Sequence, residues 1–349
     1  RQSTIGRNRI NIIRIKNRNA VRFHFNCKFC SVFNEQMTVY LMVFHYEIIN
    51  IVCSKVKTLE LKRAAMKRLI FVIFFLITSI IGFSQEKKAY QLFNKKGKKV
   101  DYGKLLIAAE KAQVVLFGEY HNNAISHWLE LELTKDLADK NAIILGAEMI
   151  EADNQKQLDQ FLKGEINQKQ LDSTARLWPN YKTDYKPLVE FAKENNIPFI
   201  ATNIPRRFAS IVSKKGFEGL ENLTSEEKTW IAPLPIVYDS ELPGYVNMMK
   251  MMGDHASPNM PKAQAIKDAT MAYFIQKNLK EKSIFIHFNG TYHSDNFEGI
   301  YWYLKKAAPN LEILTIATIE QKELKKISIE DYNKADYILV IDEDVTKTH

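Results

Sequence analysis

Six short runs of apolar, β-prone residues recur through the chain: VVLFGE (114–119), AIILGAEM (142–149), IPFIATN (197–203), SIFIHFNG (283–290), LEILTIAT (311–318) and ADYILVID (335–342). Their cores are continuous rather than alternating, the pattern of strands covered on both faces. Helical stretches separate several of them, so the chain reads as an α/β fold with a mostly parallel central sheet flanked by helices. The spacing predicts helices over about 126–139, with Ser126 as N-cap, near 153–163, and over about 184–194, with Pro187 in the first turn. No strand is evident between Ile204 and Gln276, so residues of about 205–276 are expected to form a helical insertion over the sheet. Its last helix, PKAQAIKDATMAYFIQKNL, sets Gln264 and Asp268 one turn apart on one face.

Two of the runs end in the same phrase. GEYH occupies 118–121 and GTYH 290–293. Each presents an imidazole just past a strand, and parallel sheets gather functional groups at the carboxyl ends of their strands. His121 and His293 are therefore expected to face one crevice, although some 170 positions separate them. A single Gly-x-x-His is an ordinary strand-to-loop turn; the weight rests on the pair.

Charge and cysteine divide the chain unevenly. Of 49 Lys/Arg and 40 Asp/Glu, residues 1–65 hold 12 and 3, which leaves 37 of each in the remainder. The basic balance thus belongs to the leader, and the folded part offers no argument for nucleic-acid binding. Cys27, Cys30 and Cys53 also lie in the first 65 residues, so no disulfide framework is available later. At Met66 the sequence MKRLIFVIFFLITSIIGFSQ reads as a secretory signal peptide, 66–84, with the cleavage region at Gly82-Phe83-Ser84. The expected organisation is a spurious or disordered extension (1–65), the signal peptide, and one domain over 85–349 with no stable membrane span after cleavage.

Polar residues cluster at the expected strand ends. Glu119 and His121 follow the first strand, Glu148 closes the second, Asn203 with Arg206 and Arg207 follows the third, and Asn289 with His293 follows the fourth. Two chemistries suit such a set. Glu119, His121, Glu148 and His293 are metal-ligand types for a divalent transition metal that activates water, with Arg206 or Arg207 stabilising developing negative charge. Imidazole, Tyr or thioether ligands to haem iron, with arginines pairing the propionates, are the other; Met249, Met252 and His255 in the run MMKMMGDH join the candidates for it. A Met-rich stretch is also ordinary lid packing. His127 falls in the helix after the first motif, Trp128 beside it reads as core, and His287 reads as a buried, satisfied histidine. No serine elbow, phosphate loop or dinucleotide fingerprint is present.

The stretches VVLFGEYHNNAISHW, ILGAEMIEADNQ, LWPNYKTDYKPLVEFA, IPFIATNIPRR, QAIKDATMAYFI and FIHFNGTYHSDNFEGI resemble the ChaN-like haem-binding family of the Tiki superfamily, which also holds erythromycin esterase-like and TraB-like proteins. The resemblance covers about residues 90–320. It implies an exported protein of haem or iron acquisition and an α/β fold with a helical insertion. Its paired motifs map onto Gly118 with His121 and Gly290 with His293, its acidic residue onto Glu148, and its arginine onto Arg206 or Arg207. With no lipobox cysteine after the apolar segment, a periplasmic or secreted location is expected. Haem, a second copy of the chain and a haem receptor at the outer membrane are the expected partners. The superfamily's metal-dependent hydrolases keep the alternative activity in view.

Overall fold

The computed structural model describes residues 87–255 and 257–349, together with Val43, Phe44 and Tyr46, which are helical and exposed. The segment expected to be a signal peptide and the rest of the expected extension lie outside the described residues. The chain divides after residue 85, and the sheet and its helices belong to the unit Glu86–His349.

Eight strands form one sheet: β1 (Tyr90–Asn94), β2 (Lys99–Val100), β3 (Val114–Glu119), β4 (Ala142–Glu151), β5 (Phe199–Asn203), β6 (Ser283–Gly290), β7 (Ile313–Gln321) and β8 (Tyr337–Asp342). Their order is β2-β1-β8-β7-β3-β6-β4-β5. From β8 to β5 every pairing is parallel, and β1 joins β8 and β2 antiparallel. The helices are α1 (Tyr102–Ala109), α2 (Ala124–Ala138), α3 (Gln155–Leu162), α4 (Gln168–Thr174), α5 (Lys186–Glu194), α6 (Arg206–Lys215), α7 (Pro243–Met252), α8 (Met260–Asn278) and α9 (Ile300–Ala307). The expected α/β class and the six expected strands are present. The first hairpin adds two strands beyond these six, because YQLFN and KV are too short to stand out as runs.

Side chains leave the strands on alternate faces, and each face meets its own helices. Val115, Phe117, Leu145, Ile286 and Phe288 pack with Leu129 and Leu133 of α2 and Leu188 of α5. Val114, Leu116, Ile144 and Phe285 pack with Met271 and Ile275 of α8 and Ile300 and Leu304 of α9. This double covering explains the continuous apolar runs. Between β5 and α8 the described residues hold helices and turns only, around a separate small core of Ile204, Phe208, Val212, Leu220 and Ile266.

Two local expectations are corrected. The N-cap of α2 is Asn123, whose side chain accepts from the amides of Ile125 and Ser126; Ser126 itself sits inside the helix, its hydroxyl 3.3 Å from that of Thr318. Trp128 is 47% exposed and lies tilted against Tyr90 rather than entering the core. Pro187, as expected, stands in the first turn of α5.

Candidate functional site

Glu119 is the last residue of β3, and its partner across the sheet is Gly290, the last of β6. The chain then turns and brings His121 back over that glycine, so that a Cβ added to Gly290 would come within 2.7 Å of His121 Nε2. The two copies of the repeated phrase thus interlock: the glycine of the second makes room for the histidine of the first. His121 Nδ1 donates to Glu119 Oε1 at 2.7 Å, and the Tyr185 hydroxyl donates to the same oxygen at 2.9 Å. The edge of Trp178 meets the imidazole at 4.8 Å between ring centroids. Burial draws the His121 pKa down, but the hydrogen bond to Glu119 and the charges of Glu148 and Glu119 outweigh it and hold the pKa above its ordinary value. Nε2 forms no hydrogen bond among the described residues and lies over Gly290 at the lining of the cleft.

His293 is held differently. It closes the single turn Thr291–His293 after β6 and is buried. Its Nε2 lies 3.1 Å from Glu148 Oε1, and its Nδ1 donates to Asp268 Oδ1 at 2.5 Å. The side-chain amide of Gln264 stands 2.8 Å from Nδ1. Gln264 and Asp268 come from one face of α8, as their spacing predicts. Glu148, inside β4 where its register with β5 shifts, also accepts from the amide of Gly290 at 2.8 Å. Burial opposes charge on His293, yet Glu148 and Asp268 push its pKa up to about 10. Burial likewise opposes the Glu148 carboxylate, but the charge of His293, its hydrogen bond and the charge of His121 hold the carboxyl well below its ordinary range. His293 is therefore bracketed by two carboxyl groups that favour its charged form, with neither nitrogen free.

These groups border a cleft of about 910 Å3 at the carboxyl ends of β3, β4, β5 and β6. His121 and His293 both line it, as do Glu119, Glu148, Asn203 and Arg206. Asn203 is buried, and its Oδ1 has no hydrogen-bond partner among the described residues. Arg206 and Lys267 reach the cleft and form no ion pair among the described residues. Trp178, Ile204, Ala209 and Ala263 supply apolar wall.

Other expected site residues lie elsewhere. Arg207 points away, ion-paired with Asp153 at 2.5 Å and stacked over Phe208 and Trp230. Asn289 is sealed beneath the cleft, where it donates to the Gly290 carbonyl and the Ser294 hydroxyl and sits 3.1 Å from His287 Nδ1. Met249, Met252 and His255 are outside the lining; Met252 and His255 are exposed. His287 is buried and satisfied by Thr202 and Asn289, with burial taking its pKa down to about 4.

Behind His121 lies a cluster that the sequence pattern does not announce. His127 and Glu130 stand one turn apart on α2 and meet Glu119, all three buried. His127 Nδ1 lies 2.8 Å from Glu119 Oε2 and 3.1 Å from Glu130 Oε2. The i, i+3 spacing is legible, but nothing in it shows that α2 turns this face toward the end of β3.

The family described as "Haem-binding uptake, Tiki superfamily, ChaN" matches residues 105–304, from α1 through most of α9. The chain belongs to this family. A solved structure described as cofacial heme binding to ChaN of Campylobacter jejuni is 16% identical, covers 73% of this chain and 98% of that one, and superposes with a TM-score of 0.55, which shows a shared fold. Protein RETICULATA-RELATED 5, chloroplastic, of Arabidopsis thaliana is 28% identical over 146 residues, 40% of this chain. The chain spans only 19% of that relative's length. Among the described residues no helix is long and apolar enough to cross a membrane.

Proposed function

We propose that this chain is an exported haem-binding protein of haem and iron uptake, and that His121 is the group it offers to haem iron. One observation carries the reading: His121 is the imidazole of the cleft with a free nitrogen. Its Nδ1–H is fixed by Glu119, which leaves Nε2 toward the cleft, the arrangement in which metal-ligating histidines are usually held. His293 has both nitrogens committed and serves instead to set the floor. The remaining lining fits the same guest. Trp178, Ile204, Ala209 and Ala263 suit a porphyrin face, and the unpaired Arg206 and Lys267 suit its propionates. Iron in haem would supply the coordination bond; the chain's own residues bind, orient and desolvate the ring.

The four residues expected around a hydrolytic metal all reach the cleft, Glu119 bonded to His121 and Glu148 to His293, but both nitrogens of His293 are committed to carboxyl groups and offer no free ligand atom. The haem reading therefore leads. Haem titration followed by absorption decides between them: a Soret shift with fixed stoichiometry that survives chelation and is lost or displaced in His121→Ala supports haem. An unshifted spectrum, with metal-dependent ester or peptide hydrolysis instead, overturns it. Export belongs to the same proposal, and N-terminal sequencing of the secreted product is expected to begin near Ser84. Association into a homodimer and delivery to a haem receptor complete the proposal, the former checked by light scattering with and without haem.

A further inference from the structure

We infer that Glu119, His127 and Glu130 form a buried site for one divalent transition-metal ion behind the cleft, sharing Glu119 with it. The inference stands apart from the haem reading, because none of its support comes from the cleft's guest.

Proton counting gives the first argument. His127 Nε2 donates to the His121 carbonyl at 3.1 Å. Nδ1 is then the atom aimed at the two carboxylates, and one proton at most lies between it and their oxygens. Glu119 uses its other oxygen, Oε1, to accept from His121 and Tyr185. Both carboxylates are buried; Glu130 Oε1 has no hydrogen-bond partner among the described residues, and Glu119 Oε2 has to share His127 Nδ1, at 2.8 Å, with Glu130 Oε2 at 3.1 Å. Two buried carboxylates with one imidazole nitrogen between them are under-compensated away from water. A cation at this point answers the deficit directly.

Ligand geometry gives the second. One ligand atom from each of the three residues lies within 4.8 Å of the others. The second nitrogen of His127 is tied to a backbone carbonyl, which fixes the tautomer that leaves Nδ1 as donor. Metal–ligand bonds of about 2.0–2.2 Å in a tetrahedral arrangement separate neighbouring donors by roughly 3.4 Å. The contacts of 2.8 and 3.1 Å would open by a few tenths of an ångström on loading. One imidazole and two carboxylates without thiolate suit Zn2+, Mn2+, Fe2+ or Co2+. All three residues sit on β3 and α2, and Glu119 also borders the cleft.

The test uses the full chain, stripped with a chelator and titrated with Co2+ as the probe. One equivalent is expected to bind and to give d–d absorption, and X-ray absorption of the loaded protein is expected to show one imidazole among oxygen ligands. Glu130→Gln, which keeps the side chain's size, is expected to weaken Co2+ by more than the roughly 10–100-fold typical of losing an outer-shell partner. His293→Ala is expected to leave binding unchanged. No bound cobalt at excess overturns the site, as does binding that survives Glu130→Gln but disappears in His293→Ala. A two-imidazole signature in the unaltered protein assigns the ion to His121 and His293 and overturns the site without any variant.

Discussion

At the scale of single residues, the two histidines of the repeated phrase look equivalent in sequence and are opposites in the fold. His121 keeps a free nitrogen, whereas His293 is bracketed by Glu148 and Asp268. Linkage makes this measurable. The folded pKa of His293 is about 10 against an ordinary 6.5, so its pairing stabilises the fold in full below pH 6.5 and loses that contribution as pH rises toward 10. The gap in Tm between the natural chain and His293→Gln is therefore expected to be widest below pH 6.5 and to shrink between pH 6.5 and 10. A gap that stays constant across this window would mean that His293 is neutral in the fold. Legibility in the sequence divides along the same line. The recurrence of GEYH as GTYH and the shared face of Gln264 and Asp268 are visible there, the first as a repeated phrase and the second from the helical period. That Asn289 is sealed and Arg207 turned toward Asp153 is not, since each depends on how a neighbouring element lies across it.

Elements explain why the phrase begins with glycine twice, for two different reasons. A Cβ on Gly290 would meet the tip of the His121 ring at 2.7 Å, while one on Gly118 would meet the backbone oxygen of Ile316 at 2.8 Å and Thr291 Cα at 2.9 Å. A ring can swing aside and a backbone cannot. Gly290→Ala is thus expected to fold and to lose the haem-induced Soret shift, whereas Gly118→Ala is expected to lower Tm markedly by forcing β3 away from β7. Equal loss of stability in both would show that His121 cannot move. The start of α2 offers a second check. Asn123 is buried, caps two amides and donates to Glu320 Oε1 at 2.6 Å. Asn123→Ala is expected to cost about 1–2 kcal/mol in denaturant unfolding, the upper range for a lost cap. The sequence points to Ser126 because serine is a common cap, but Asn123 is the residue that lies before the first helical turn. Existence and type of the long elements are legible from apolar continuity; their ends, set by side-chain caps, are not.

For the whole molecule, the decisive step is topological. β6 returns between β3 and β4, and that insertion sets His293 beside Glu148 and Gly290 beneath His121. The covered-strand pattern foretells a parallel sheet but cannot order its strands, so convergence of the two motifs stays an expectation until the register is known. Because the cleft exists only when β3, β4, β5 and β6 are assembled, a guest held there binds the folded chain and not the unfolded one. Haem at a hundred times its Kd should then stabilise folding by about 2.7 kcal/mol. For a domain of this size each kcal/mol raises Tm by about 2–4 °C, so a rise of several degrees is expected for the natural chain. His121→Ala should lose most of that rise, measured against the variant's own haem-free Tm, since the ring lines the cleft. A rise undiminished in His121→Ala would move the binding site away from this cleft.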